Sequence, residues 1–142
     1  MYWKRGEVVF GRKDTWNMDQ TLRPIIAAGL RKFKEVVTDP GNVAGFPGGL
    51  KVGGEEYYVQ SLGDEEAFQA YLSEWHSILD KMIYAFEAEE PEIPDDIFYV
   101  AEGLEIKDQD IIDKCIKEEE EYHRRVQEGL DLFALHYNSL SW

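Results

Sequence analysis

Between Asp64 and Glu89 the chain reads DEEAFQAYLSEWHSILDKMIYAFEAE, with large apolar residues at Phe68, Tyr71, Leu72, Trp75, Ile78, Leu79, Met82, Ile83 and Phe86. Steps of three and four place these side chains on one stripe of a helix. Burying a side chain of this kind contributes roughly 1.5–3 kcal/mol, so the stripe requires apolar partners from elsewhere in the chain or from another copy of it. Whatever else folds here has to cover this helix.

Two further segments carry matching stripes. Leu22, Ile25, Ile26, Leu30, Phe33, Val36 and Val37 form one, closed by the stop signal Thr38-Asp39-Pro40-Gly41. Asp14 or Thr15 is placed to cap a helix ahead of Trp16. Pro24 removes a backbone donor and crowds the preceding turn, which predicts a kink near Arg23 or two helices meeting there. The other stripe, in a helix predicted from about Asp108 to Tyr137, is Ile112, Cys115, Ile116, Tyr122, Val126, Leu130, Phe133 and Tyr137, with Leu140 and Trp142 beyond it.

The intervening segments read as small appendages. Glu7-Val8-Val9-Phe10, between Gly6 and Gly11, predicts an extended arm or short strand within residues 1–13. The glycine-rich insertion 39–63 lacks the Gly-Lys-Ser/Thr order of a phosphate-cradling loop. It predicts a hairpin with strands Leu50–Val52 and Tyr57–Gln60 around Gly53-Gly54. An acidic connection, 87–110, holds ten acids and one lysine; Pro91 and Pro94 end the preceding helix, and Ile97-Phe98-Tyr99-Val100 is apolar enough to lie on the core. The expected fold is mainly α: one helical domain over 1–142 with a three-helix bundle-like core and short extended and β-hairpin appendages.

Charge narrows the function classes. The formal net charge of −14 opposes direct nucleic-acid binding, which needs Lys and Arg on phosphates, and opposes anionic membrane surfaces as well. No stretch approaches the roughly 20 apolar residues that span a bilayer. A single cysteine, Cys115, excludes an intramolecular disulfide and fits a reducing interior, so a soluble cytoplasmic protein is expected. The charge is also uneven: residues 1–37 carry eight basic and four acidic side chains, a local +4, which leaves −18 for the remainder. Such halves attract each other within a domain or between copies, and homo-oligomers are a possible outcome.

Three constellations carry possible chemistry. Glu89, Glu90, Glu92, Asp95, Asp96 and Glu118 to Glu121 (Glu118, Glu119, Glu120, Glu121) offer an acidic surface to a cationic partner, with the terminal Trp3 and Trp142 as apolar contacts. Within Glu118-Glu119-Glu120-Glu121-Tyr122-His123, both Glu119 and Glu120 share a helix face with His123, which is the spacing of a carboxylate-imidazole metal site. His76 and Asp80, one turn apart, are the candidates to complete it. The same glutamates also read as a solvated face paired with Arg124 and Arg125. Glu119 stands where the helical ladder asks for an apolar residue, so either that turn meets water or a cation lies nearby. Glu118-x-x-Glu121 and Glu128-x-x-Asp131 imitate a magnesium pyrophosphatase pattern, but on one helix they cannot face each other across a bundle. A pocket built from Trp16, Arg23, Tyr57 and Tyr58 would suit a nucleotide, with the guanidinium for phosphate and the rings for a base. Cys115 reads as core, and His136 as a surface group stabilised at a helix C-terminus.

The combination of Asp14-Thr15-Trp16-Asn17-Met18-Asp19, Leu30-Arg31-Lys32-Phe33-Lys34-Glu35, Trp75 through Phe86 and Val126 through Phe133 resembles a widespread set of small tailed-phage and prophage proteins that carry no assigned activity. The likeness touches all three helices and about half of the chain. It implies a protein made in an infected bacterial cell, outside the obvious virion parts, and counter-defence is a common role for such accessory proteins. The expectation is a non-enzymatic protein, with no cofactor, that binds a host or phage protein through its acidic surface. The alternatives are a nucleotide-sequestering protein and a metal-dependent hydrolase of helical-bundle type.

Overall fold

The computed structural model describes residues 1–37, 45–52, 54–58, 65–92 and 109–141, with the side chains of Val52, Tyr57 and Tyr58 outside the description. The protein is mainly α, with two small antiparallel hairpins. The first hairpin pairs β1 (Tyr2–Lys4) with β2 (Glu7–Val9). Its two-residue turn, Arg5 at φ 53° and Gly6 at φ 83°, has both central residues in the left-handed region, which matches the twist of the strands it joins. Apart from the half-buried Val8-neighbour Val9, its residues are exposed.

Helix α1 (Arg12–Trp16) is one short turn. Asp14 sits inside it rather than at the predicted cap: its carboxylate accepts from the Gly11 amide at 2.6 Å and pairs with the N-terminal ammonium at 2.7 Å. These two interactions hold its pKa below the usual carboxylate range. Helix α2 (Met18–Val37) then runs unbroken through Pro24, so the boundary expected near Arg23 lies earlier, at Asn17. The Asn17 carbonyl accepts from Thr21 at 3.0 Å and starts the new helix.

Helix α3 (Glu65–Glu87) is the element the others pack on. Tyr71, Trp75, Leu79 and Met82 are wholly buried, as the stripe requires. α2 lies antiparallel along it: Phe33 meets Trp75 edge-on at 6.4 Å, Lys34 Nζ reaches Asp80 at 2.5 Å, Arg31 grips Glu87, and Arg23 Nη2 donates to the Ala88 carbonyl at 2.6 Å. The Arg31 guanidinium holds the Glu87 carboxyl low. Helix α4 (Gln109–His136), extended by a 3-10 turn at Tyr137–Ser139, is antiparallel to α3 on another side. Lys81 meets Glu128 at 2.9 Å and Phe86 meets Phe133 edge-on at 5.1 Å. Gly129 is buried where the two backbones come closest: a Cβ built there would lie 2.3 Å from the Lys81 carbonyl oxygen.

In the second hairpin, β3 (Gly49–Val52) starts one residue and β4 (Glu55–Tyr58) two residues before the predicted strands, and Val59 and Gln60 of the second predicted strand lie outside the described residues. Its turn includes Gly54 at φ 89°. Leu50 enters the core, and the segment before it is tied to α3 by two buried donors, Trp75 Nε1 to the Gly45 carbonyl at 3.0 Å and the Tyr71 hydroxyl to the Pro47 carbonyl.

His136 departs from its expected place. It is buried, only 8% exposed, with its ring edge-on to Trp75 at 5.3 Å, because the end of α4 crosses the middle of α3 rather than projecting into water. Burial pushes its imidazole below its ordinary pKa. Cys115 is half-buried, while Ile116, Leu130 and Tyr137 of the α4 stripe are exposed at 47%, 38% and 63%. The segment Ile97-Phe98-Tyr99-Val100, expected on the core, lies outside the described residues. No helix among the described residues is long and apolar enough to cross a membrane.

Candidate binding surface

Antiparallel packing of α3 and α4 brings the residues that follow α3 beside the middle of α4. Glu90 Oε1 lies 3.9 Å from His123 Nε2, and Glu119 Oε1 lies 3.7 Å from the same nitrogen, one helical turn away along α4. Two acidic stretches that the sequence keeps far apart therefore meet. Glu89, Glu90, Glu92, Glu118, Glu120 and Glu121 are exposed there and Glu119 is half-buried. Two of them have basic partners on their own helix. Glu121 accepts from Nη2 and Nε of Arg124 at 2.7 and 2.9 Å, which lowers its pKa, and Glu118 lies 3.8 Å from Lys114. Arg125 is turned over the Tyr84 ring at 3.6 Å rather than toward the glutamates. Asp95, Asp96 and Trp142 lie outside the described residues, and Trp3 is 73% exposed on the first hairpin.

The metal-site reading named Glu119, Glu120 and His123. The structure groups Glu119 and His123 with Glu90 instead of Glu120, and one ligand atom from each lies within 4.8 Å of the others. Two carboxylate oxygens and an imidazole nitrogen are a donor set for a divalent cation such as zinc, whose ligand atoms stand roughly 3.3 Å apart in a tetrahedral site. The observed separations are slightly wider, and the three side chains are on the surface. Glu120 is exposed outside the cluster, because consecutive helix positions diverge by about 100°. His76 and Asp80 do not complete the site: Asp80 is engaged by Lys34 of α2. The His76 Nε2 atom is buried without a hydrogen-bond partner, and burial, followed by the nearby Lys34, lowers its pKa. Sequence reasoning missed Glu90 as a ligand candidate because only the tertiary packing of α3 on α4 supplies it.

Two of the four nucleotide-pocket residues have described side chains, Trp16 and Arg23. Trp16 is 86% exposed at the end of α1, and the Arg23 guanidinium is spent on the Ala88 carbonyl at the far end of α3. The backbone of β4 pairs with β3, whose Leu50 joins the core cluster; the Tyr57 and Tyr58 side chains lie outside the described residues. Sequence periodicity also gave no warning of an apolar groove between α2 and α4. Ile26, Phe33 and Phe133 line a cavity of about 550 Å³, and Leu22, Ile26, Tyr122, Val126 and Leu130 line a second of about 310 Å³ continuing it toward Asp19.

No family model matches the chain, and neither a curated protein nor a solved structure matches it.

Proposed function

We propose that this chain acts by binding, as a phage accessory protein that presents the acidic surface of Glu89, Glu90, Glu92 and Glu118–Glu121 to a basic site on a host protein, with counter-defence as its setting. The observation that supports this is the convergence of Glu90 on Glu119 and His123, which joins two acidic stretches into one patch on a chain of net charge −14. Concentrated exposed charge of one sign speeds encounter with a partner of the other sign and selects against like-charged proteins. The test is capture of proteins from an infected bacterial lysate on the immobilised chain, repeated with a variant carrying Glu90→Gln, Glu118→Gln, Glu119→Gln and Glu120→Gln. A basic protein is expected to be retained at about 0.1 M salt, released near 1 M where the Debye length falls to about 3 Å, and lost by the variant. Retention indifferent to both salt and the four substitutions refutes the reading.

A second reading is favoured by the grouping of Glu90, Glu119 and His123: a divalent cation held on the protein surface as the starting point for metal-assisted hydrolysis. Calorimetric titration with zinc separates it from the first. Stoichiometric binding that weakens at least tenfold in Glu90→Gln supports it, whereas no saturable heat dismisses it.

A further inference from the structure

Where the second hairpin meets α3 and α4 the protein holds a cavity of about 670 Å³, within the size range of small-molecule sites. Glu74, Ile78 and Lys81 come to it from one face of α3, Leu132 and His136 from the end of α4, and Leu50 from β3. Leu50 and Ile78 are buried core side chains, so part of the lining is apolar. The polar groups divide along α3. Glu74 and Lys81 are seven residues apart, which separates them by about 10 Å along the helix axis. At the Lys81 end the charges are already matched: Lys81 holds Glu128 at 2.9 Å, and Arg124 reaches the same carboxylate at 3.2 Å.

At the Glu74 end they are not. Glu74 is half-buried and pairs with no described residue. His136 lies at the same end, because its ring rests on Trp75, the next residue of α3. It is only 8% exposed, lines the cavity, and has no hydrogen-bond partner among the described residues. Burial lowers its pKa and favours the neutral imidazole, which keeps one ring nitrogen as an acceptor. Ser139, in the 3-10 turn that follows, adds a hydroxyl, and the C-terminus of α4 contributes the negative pole of its helix. A polar ring buried without a partner costs free energy that a bound donor would offset.

We propose that this cavity binds a small primary amine with an apolar body. The three donors of an ammonium match the acceptors of Glu74, His136 and Ser139. The aliphatic or aromatic part then lies along Leu50 and Ile78. Apart from the Lys81–Glu128 pair, the charged lining is two carboxylates, Glu74 and Glu56, against one ammonium, Lys51, which disfavours an anion. A polyamine is disfavoured as well, since its second ammonium would meet Lys81 and a carboxylate already occupied. The site shares no residue with the acidic surface around Glu90 and Glu119, so the two readings stand or fall separately.

The probe is phenylbutylamine, compared with phenylbutanol, its uncharged analogue, each titrated into the full chain at about 0.15 M salt. The imidazole NMR signals of the three histidines report where binding occurs: His136 lines the cavity, His123 belongs to the acidic surface, and His76 lies near Lys34 of α2. The amine is expected to shift the His136 signal saturably, to leave the other two in place, and to bind at least about tenfold more tightly than the alcohol. Glu74→Gln, which alters a side chain with no described partner, should keep the wild-type melting temperature and bring the amine down to the affinity of the alcohol. Equal affinity of amine and alcohol, an amine preference that survives Glu74→Gln, or a shift of His123 with none at His136 overturns the proposal. Absence of a saturable His136 shift with either probe overturns the cavity as a binding site.

Discussion

Adding the same methyl group at two glycines should move stability in opposite directions. At Gly129 a Cβ would lie 2.3 Å from the Lys81 carbonyl oxygen and 2.6 Å from the Ala85 Cβ, against the 3.4 Å at which ordinary contact begins. The first obstacle is helix backbone and cannot swing aside, so α4 must retreat from α3 by about 1 Å, and a gap of about that size forfeits a quarter to a half of the dispersion energy of the atoms it separates. The pairs at risk flank the glycine along the same seam: Phe86 with Phe133, and Trp75 with His136. Overpacking costs about 1–3 kcal/mol, and the lost contacts push Gly129→Ala toward or beyond the upper end of that range. The gain from replacing glycine by alanine in a helix returns only about 1 kcal/mol. A net loss of about 2 kcal/mol follows. Gly29→Ala on α2 receives the same helical gain without a clash and should stabilise by about 0.5–1 kcal/mol. Urea unfolding followed by far-UV circular dichroism measures both, and the difference between the variants, about 3 kcal/mol, isolates the steric cost because helix propensity cancels. In thermal melts the two should stand apart by roughly 6–12 °C. Gly129→Ala at or above wild-type stability would refute the close approach of α3 and α4.

Two further outcomes are expected. His136 and His76 both titrate below the ordinary histidine value of 6.5 in the folded chain, through burial first and, for His76, also through Lys34. The unfolded chain therefore binds more protons just below pH 6.5, so stability is full above that value and declines as the pH falls through it; urea midpoints at pH 7.5 and 5.5 should show a smaller drop in His136→Gln than in wild type. The Arg31–Glu87 pair bridges α2 and α3 in the open, with the arginine 62% exposed. Arg31→Gln should shift the urea midpoint only slightly, and the shift should vanish near 1 M salt, where exposed pairs are screened.

The three long helices were readable because each carries enough apolar residues at helical spacing to declare its type and its inner face. Phe68 to Phe86 did so most completely, being covered along its whole length. Periodicity, however, marks which side of a helix is apolar and not which neighbour covers it. Ile25, Ile116, Leu130 and Tyr137 therefore belonged to stripes and yet stand in water. His136 was misplaced for a related reason: its position at a helix end suggested exposure, and only the crossing of α4 over Trp75 encloses it. Pro24 suggested a helix boundary through a local rule that the surrounding packing overrides, since the stripe that follows it, Ile26, Leu30, Phe33 and Val37, is held in the core. Of the candidate sites, the part confined to one helix, Glu119 with His123, could be read from spacing, whereas Glu90 reaches them only through tertiary structure.

Because α2, α4 and the second hairpin all rest on α3, no one of them can detach without exposing that helix to solvent. Amide hydrogens along Tyr71 to Ile83 should thus exchange only through rare global opening, and at a common rate. The Tyr2–Val9 hairpin shares no side chain with the core cluster and should exchange quickly by its own fluctuations. One chain would then show two kinetic classes of protection, divided by attachment to a single helix.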